Sequence, residues 1–194
     1  MKQIIITFAL VLAAANLAAQ SNLMPRGDFS DKPGYFLMRI GFVSGENIKL
    51  DGRDEDGQPG FSFGAAMDFR IVRSWYVGVG CDIHRVHISD SGQYFFDASL
   101  ALKRSFLSKT SRIALRPGIA LGYGTLDHFR LFSYQGIERT HYFVWKATFE
   151  VVFFGRNRVA PFIDVGLMGS AFGGNADHDI RFGPFPYIRG GMMF

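Results

Sequence analysis

The 194-residue chain has a single cysteine, Cys81, so it can build neither a disulfide framework nor a Cys-x-x-Cys metal or redox motif. Charged residues make up only 20% of it while aromatics reach 15%, which excludes a disordered chain. No run of Lys or Arg exceeds two residues, so the formal charge of +4 does not describe a nucleic-acid surface. The longest apolar run, Ile4 to Ala15, is shorter than the roughly 20 residues a membrane-crossing helix needs. What the chain has in excess is glycine (23) together with phenylalanine (21), at a mean hydropathy of only +0.10. Its length suits one domain with a sizeable interior.

Residues 1–19 carry one positive charge, Lys2, then the apolar run, then small residues. This is the layout of a secretory signal peptide, with cleavage expected between Ala19 and Gln20. The exported chain retains 20 basic and 17 acidic residues, too even a balance to define a partner. A polar segment, 20–34, then leads into a pattern of period two that continues to the last residue.

Eight alternating segments are expected as strands: 35–44, 61–72, 75–88, 94–106, 112–124, 142–153, 159–171 and 185–194. The sixth is the clearest. Phe143, Trp145, Ala147, Phe149, Val151 and Phe153 share one face, and Tyr142, Lys146, Thr148 and Glu150 the other. Segments of about 10–14 residues exceed the usual strand of about 5–6 and match the 9–11 that cross a bilayer. The polar face is rich in Gly and Ser, which suits a narrow lumen better than a solvated surface. Lipid cannot satisfy an open sheet edge, so the expected fold is an all-β, eight-stranded antiparallel up-and-down transmembrane barrel over 35–194. The connections at 72–75, 105–111 and 155–158 are short, and those at 45–60, 89–93, 125–140 and 172–184 are mostly longer. Short turns on the periplasmic side and long loops outside place both mature termini in the periplasm.

The inward set expected from the alternation contains Arg39, Arg70, Lys103, Arg116, Lys146 and Arg189 against Asp68, Asp82, Asp97, Glu150 and Asp164, with His84 among them. Near-equal numbers point to a charge network filling the lumen, because unpaired buried charges cost several kcal/mol each. Outward aromatics fall into two groups, Phe36, Phe69, Trp75, Phe106, Phe153 and Phe194 at one end, and Phe42, Phe61, Tyr94, Tyr123 and Phe143 at the other. These read as interfacial girdles. Cys81 is expected to face lipid.

In this pattern the chain resembles the small OmpA/OmpX-type outer-membrane barrels, over essentially the whole exported sequence. The final strand carries the most specific element: Ile188, Met192 and Phe194 alternate up to a terminal aromatic. In that family such an ending looks like the signal read by the barrel-assembly machinery. The Ala-Gln junction and Phe/Gly-rich composition are similar to Bacteroidetes outer-membrane proteins. The resemblance implies the outer membrane of a Gram-negative bacterium, in contact with membrane lipid and lipopolysaccharide.

Catalytic motifs are scarce. His87-Ile88-Ser89-Asp90 resembles the His-x-Ser-Asn element of lipid A deacylases, in which a His activates a Ser. Asp90 departs from the family Asn, and no third member can be assigned. The run Asp51 to Gly57 resembles a calcium loop superficially but lacks the downstream bidentate Glu. No catalytic residue, metal or cofactor is assigned. In the third long connection Phe129, Leu131, Phe132 and Tyr134 are candidate contacts for an outside partner. The functional expectation is a non-enzymatic barrel serving envelope integrity or presenting loops to a ligand or partner. The alternatives are a lipid A-modifying enzyme and a subunit of a larger secretion or uptake assembly.

Overall fold

The computed structural model describes residues 33–72, 74–88, 91–107, 112–127, 140–154, 159–174 and 179–194. The expected signal peptide and nearly all of the 20–34 lead-in lie outside these residues, as do Phe129, Leu131, Phe132 and Tyr134. The strands are β1 (Gly34–Val43), β2 (Ile48–Leu50), β3 (Arg53–Glu55), β4 (Gly57–Val72), β5 (Trp75–Ile88), β6 (Ser91–Arg104), β7 (Phe106–Leu107), β8 (Ile113–Asp127), β9 (Thr140–Phe153), β10 (Ala160–Gly174), β11 (Ile180–Phe182) and β12 (Phe185–Met193).

Eight of them form the ring β1-β4-β5-β6-β8-β9-β10-β12, every neighbour antiparallel. The ring closes where β1 meets β12, from Leu37↔Met193 to Val43↔Tyr187. Strand β7 prolongs β6 beyond Ser105 and stays on β8. Closure removes every free edge, which a sheet in lipid requires.

The alternation expected from the sequence is the alternation observed. On β5, Trp75, Val79, Cys81 and Ile83 are exposed, and Tyr76, Gly78, Gly80, Asp82 and His84 are buried. Around the ring the exposed face is a continuous apolar band, with Leu100 63% and Ile119 61% exposed at its middle. Such a belt is stable against hydrocarbon and unstable against water. A charge on it should be costly. Leu100→Arg is expected to destabilise the bilayer-inserted barrel by about 2–4 kcal/mol, measured by denaturant unfolding from vesicles.

Several boundaries differ from expectation. The 45–60 and 172–184 connections are not irregular loops: β2, β3 and β11 make a three-stranded sheet at the long-loop end. Its β2–β3 hairpin turns at Asp51 and Gly52 with φ of 51° and 76°, the left-handed pair that a two-residue type I′ turn demands. Asp179 N–H donates to Asp51 Oδ1 at 2.8 Å, and Asp51 N–H to the Asp179 carbonyl at 2.9 Å, fastening the two connections together. The 89–93 connection is shorter than expected, because β6 already begins at Ser91. On β10 a register shift between Ser170 and Phe172 turns Phe172 outward onto Phe143, 5.4 Å away and stacked.

Candidate functional site

The interior holds three layers. At the short-turn end Tyr35, Leu37, Ala66, Tyr76, Ala114, Val152, Ala160, Phe162 and Met193 pack together. At the other end lies a larger apolar cluster that includes Val43, Ile48, Val86, Ile88, Phe95, Tyr142, Phe182 and Phe185. The charges lie between these. The expectation was an inner face mainly of Gly, Ser and paired charges, with Tyr142 among them. The apolar ends correct it, because inward residues near the rims pack on one another beyond the charged middle.

The charged layer divides into two groups, each with equal numbers of opposite charges. In the first, Lys103 Nζ lies 3.0 Å from Asp68 Oδ2 and 2.7 Å from Glu150 Oε1. Arg116 completes it, 2.6 Å from Asp68 and 3.1 Å from Glu150. In the second, Asp82 accepts from Arg39 at 2.9 Å, Lys146 at 2.6 Å and Arg189 at 3.0 Å. Asp164 accepts from Arg189 at 2.6 Å, and Lys146 also donates to Asp97. His84 Nε2 stands 3.2 Å from Asp97 Oδ2. Five cations thus face five carboxylates, and all ten side chains are buried.

The register explains the pairing. Asp82 and Asp97 lie directly opposite each other on β5 and β6, an arrangement that repels unless a cation intervenes. Lys146 reaches across the lumen to supply that cation. Glycine makes the space: a Cβ at Gly64 would lie 1.8 Å from Asp82 Oδ1, and one at Gly124 would lie 2.4 Å from the Tyr142 ring. Between the groups remains a cavity of about 10 Å³, lined by Ala66, Gly78, Gly80, Ala101 and the charged tips. That is roughly the room one water needs.

Of the expected inward charges Arg70 is the one the structure does not gather in. It stands half-exposed at the short-turn end, where the register shifts between Arg70 and Val72. Its backbone N–H donates to the Pro33 carbonyl at 2.8 Å. Ligand atoms of Asp82, His84 and Asp97 lie within 4.8 Å of one another, close enough to recommend a metal. The Lys146 ammonium already lies between the two carboxylates. His87 lies on the outward register of β5, while Ser89 and Asp90 fall outside the described residues. Ile188, Met192 and Phe194 share the outward face, with Phe194 6.2 Å from the ring of Phe36.

No family model matches the sequence, and no curated protein matches it. Solved structures do. Neisserial surface protein A (NspA) superimposes with a TM-score of 0.58 at 12% identity, covering 84% of this chain and 96% of that one. The N-terminal β-barrel domain of Pseudomonas aeruginosa OprF gives 0.50 at 10% identity, covering 84% and 98%. The fold is that of the small eight-stranded outer-membrane barrels. Each likeness spans 84% of this chain, and the OmpA/OmpX-like architecture is common to both.

One feature of the outer face was missed in the sequence. Among its described positions on the eight ring strands, three carry a Lys, Arg, Asp or Glu: Arg85, Arg104 and, on the outward register at the end of β8 opposite Tyr94, Asp127. Arg104 lies 5.5 Å from the Trp75 ring and 4.8 Å from Phe106, and Arg85 lies 5.7 Å from Tyr94. An arginine on a lipid face costs about 2–4 kcal/mol at mid-depth but about 0–1 near an interface, so girdle rings mark where it can stand.

Proposed function

We propose that this chain is a non-enzymatic integral barrel of a Gram-negative outer membrane, with a plugged lumen and both mature termini in the periplasm. It acts through its wall and its outer surface, serving envelope integrity and presenting the loop end to a ligand or partner. The observation that supports this is the three-layer filling of the interior: an apolar cluster, a neutral layer of ten buried charges, and a second apolar cluster. An eight-stranded ring is only wide enough to be filled by side chains, and the two apolar clusters with the charges between them support a filled lumen. The small β2–β3–β11 sheet gives the loop end a fixed surface, unlike an ordinary loop. Its contacts are membrane lipid and lipopolysaccharide around the wall, and the barrel-assembly machinery at Ile188, Met192 and Phe194 during insertion.

Planar-bilayer recording tests the reading. Purified protein inserted into a phospholipid membrane should give little conductance. A steady, large-amplitude pore from the unmodified chain would overturn it.

A further inference from the structure

We propose that Arg85 and Arg104 are binding positions for the phosphate groups of membrane lipids, one at each face of the bilayer. The proposal rests on the membrane-spanning reading and adds two specific ligand sites to it. Three observations carry it.

The first is isolation. An outer face that is apolar around the ring has three ionic residues at its described positions: the two arginines and Asp127 at the end of β8. Neither has a carboxylate partner among the described residues; the contacts of each guanidinium are aromatic rings. A ring attracts the cation but accepts none of its in-plane N–H bonds. Those donors therefore point to an acceptor outside the protein.

The second is depth. Arg104 pairs across the ladder with Trp75, and Arg85 with Tyr94, at the two ends of the β5–β6 hairpin. Trp75 and Arg85 are ten positions apart on β5. At about 3.3 Å per residue the strand path is about 33 Å. A tilt of roughly 40° projects it to about 25 Å along the membrane normal, the height of the apolar band of such barrels. Both arginines therefore stand where acyl chains give way to phosphates.

The third is shape. A guanidinium presents parallel N–H groups that fit two oxygens of a phosphate, and stacking on a ring leaves that edge free. Trp75 and Phe106 hold Arg104 from two sides, while Arg85 lies over Tyr94 beside Gly92, where an added Cβ would meet its Nε at 3.1 Å. The short-turn end favours anions further: the connecting segments 73–74, 105–112 and 154–159 contain Arg73, Lys109, Arg112, Arg156 and Arg158 and no Asp or Glu.

Carbon–phosphorus dipolar dephasing in solid-state NMR tests this. Full-length protein carrying guanidinium-¹³C arginine is reconstituted into phosphatidylcholine–phosphatidylglycerol vesicles in phosphate-free buffer. Arg85→Lys and Arg104→Lys keep the charge and remove the fork. Each should lower the arginine dephasing, and the double variant should lower it by about twice as much as either. Dephasing equal in the double variant and the unmodified chain overturns the proposal. A parallel sample in maltoside micelles with inorganic phosphate should show no difference between the two proteins. A difference there of the same size would mean that free phosphate, and not a lipid, is the ligand, and would also overturn it. Vesicle flotation separates the levels: unmodified chain that fails to float overturns the membrane reading and the sites together, whereas flotation with unaltered dephasing overturns the sites alone.

Discussion

Asp82→Ala should cost the barrel roughly 3–5 kcal/mol, the range for removing one partner from a buried charge group. Asp82 is the carboxylate with the most cationic partners, touching Arg39, Lys146 and Arg189. Without it that group holds three cations and only Asp97 and Asp164. Water cannot repair the imbalance, because the interior has room for about one molecule between the groups and apolar clusters above and below. The measurement is urea unfolding from phosphatidylcholine vesicles, followed by tryptophan fluorescence. Asp54→Ala is the control: its partner Lys49 is 3.1 Å away, but both side chains are more than half exposed, so the loss should be small. A loss below about 1 kcal/mol for Asp82→Ala would mean that the ten charges are not a closed network.

Phe182→Ala should be comparably damaging, by about 3–5 kcal/mol, through the cavity it leaves. Phe182 comes from the short strand β11, yet its ring centres the outer apolar cluster. It lies 5.0 Å from Tyr142 and 5.1 Å from Phe95, edge-on to both, and 5.1 Å from Phe185. Its backbone N–H is also taken by Ser170 Oγ at 2.8 Å. Conductance should stay low in this variant, because the charged layer beneath remains intact. Unfolding in the same vesicles gives the energy, and single-channel recording gives the second half. An unchanged stability would show that β11 only rests on the mouth.

How much of this was legible depended on what each signal reports. Period two on β9 separates Phe143, Trp145 and Phe149 from Lys146, Thr148 and Glu150 without ambiguity, and ring size follows from eight such segments. The inward charges followed from the same alternation, which is why ten of the eleven expected Lys, Arg, Asp and Glu positions are gathered and only Arg70 falls outside. Alternation says which way a side chain points and nothing about what it meets. Val86, Ile88 and Val144 point inward like Asp82, and their apolar character at the strand ends was not read as an interior cluster. The β2–β3 hairpin was marked by Asp51-Gly52, the strongest short hairpin signal, but its strands are three residues long and β3 is charged throughout, so they read as loop. Strand β11 pairs with β2 across some 130 positions of sequence, which no local pattern reports. Arg85 and Arg104 are not singled out by the alternation. Only the completed ring shows that the described outer face carries, besides these two, just Asp127 at the end of β8.

Cys81 gives the most direct test of the central claim, that a closed ring turns its apolar face to lipid. It is the only cysteine in the chain, and it is exposed on β5 between Val79 and Ile83, paired to Ala65 and Ala98. A nitroxide attached there, with no other change to the protein, reports its surroundings by collision with two relaxing agents. In vesicles it should collide readily with oxygen, which concentrates in hydrocarbon, and scarcely with a water-soluble nickel chelate. The opposite ratio, with nickel dominant, would put that face in water and contradict the account.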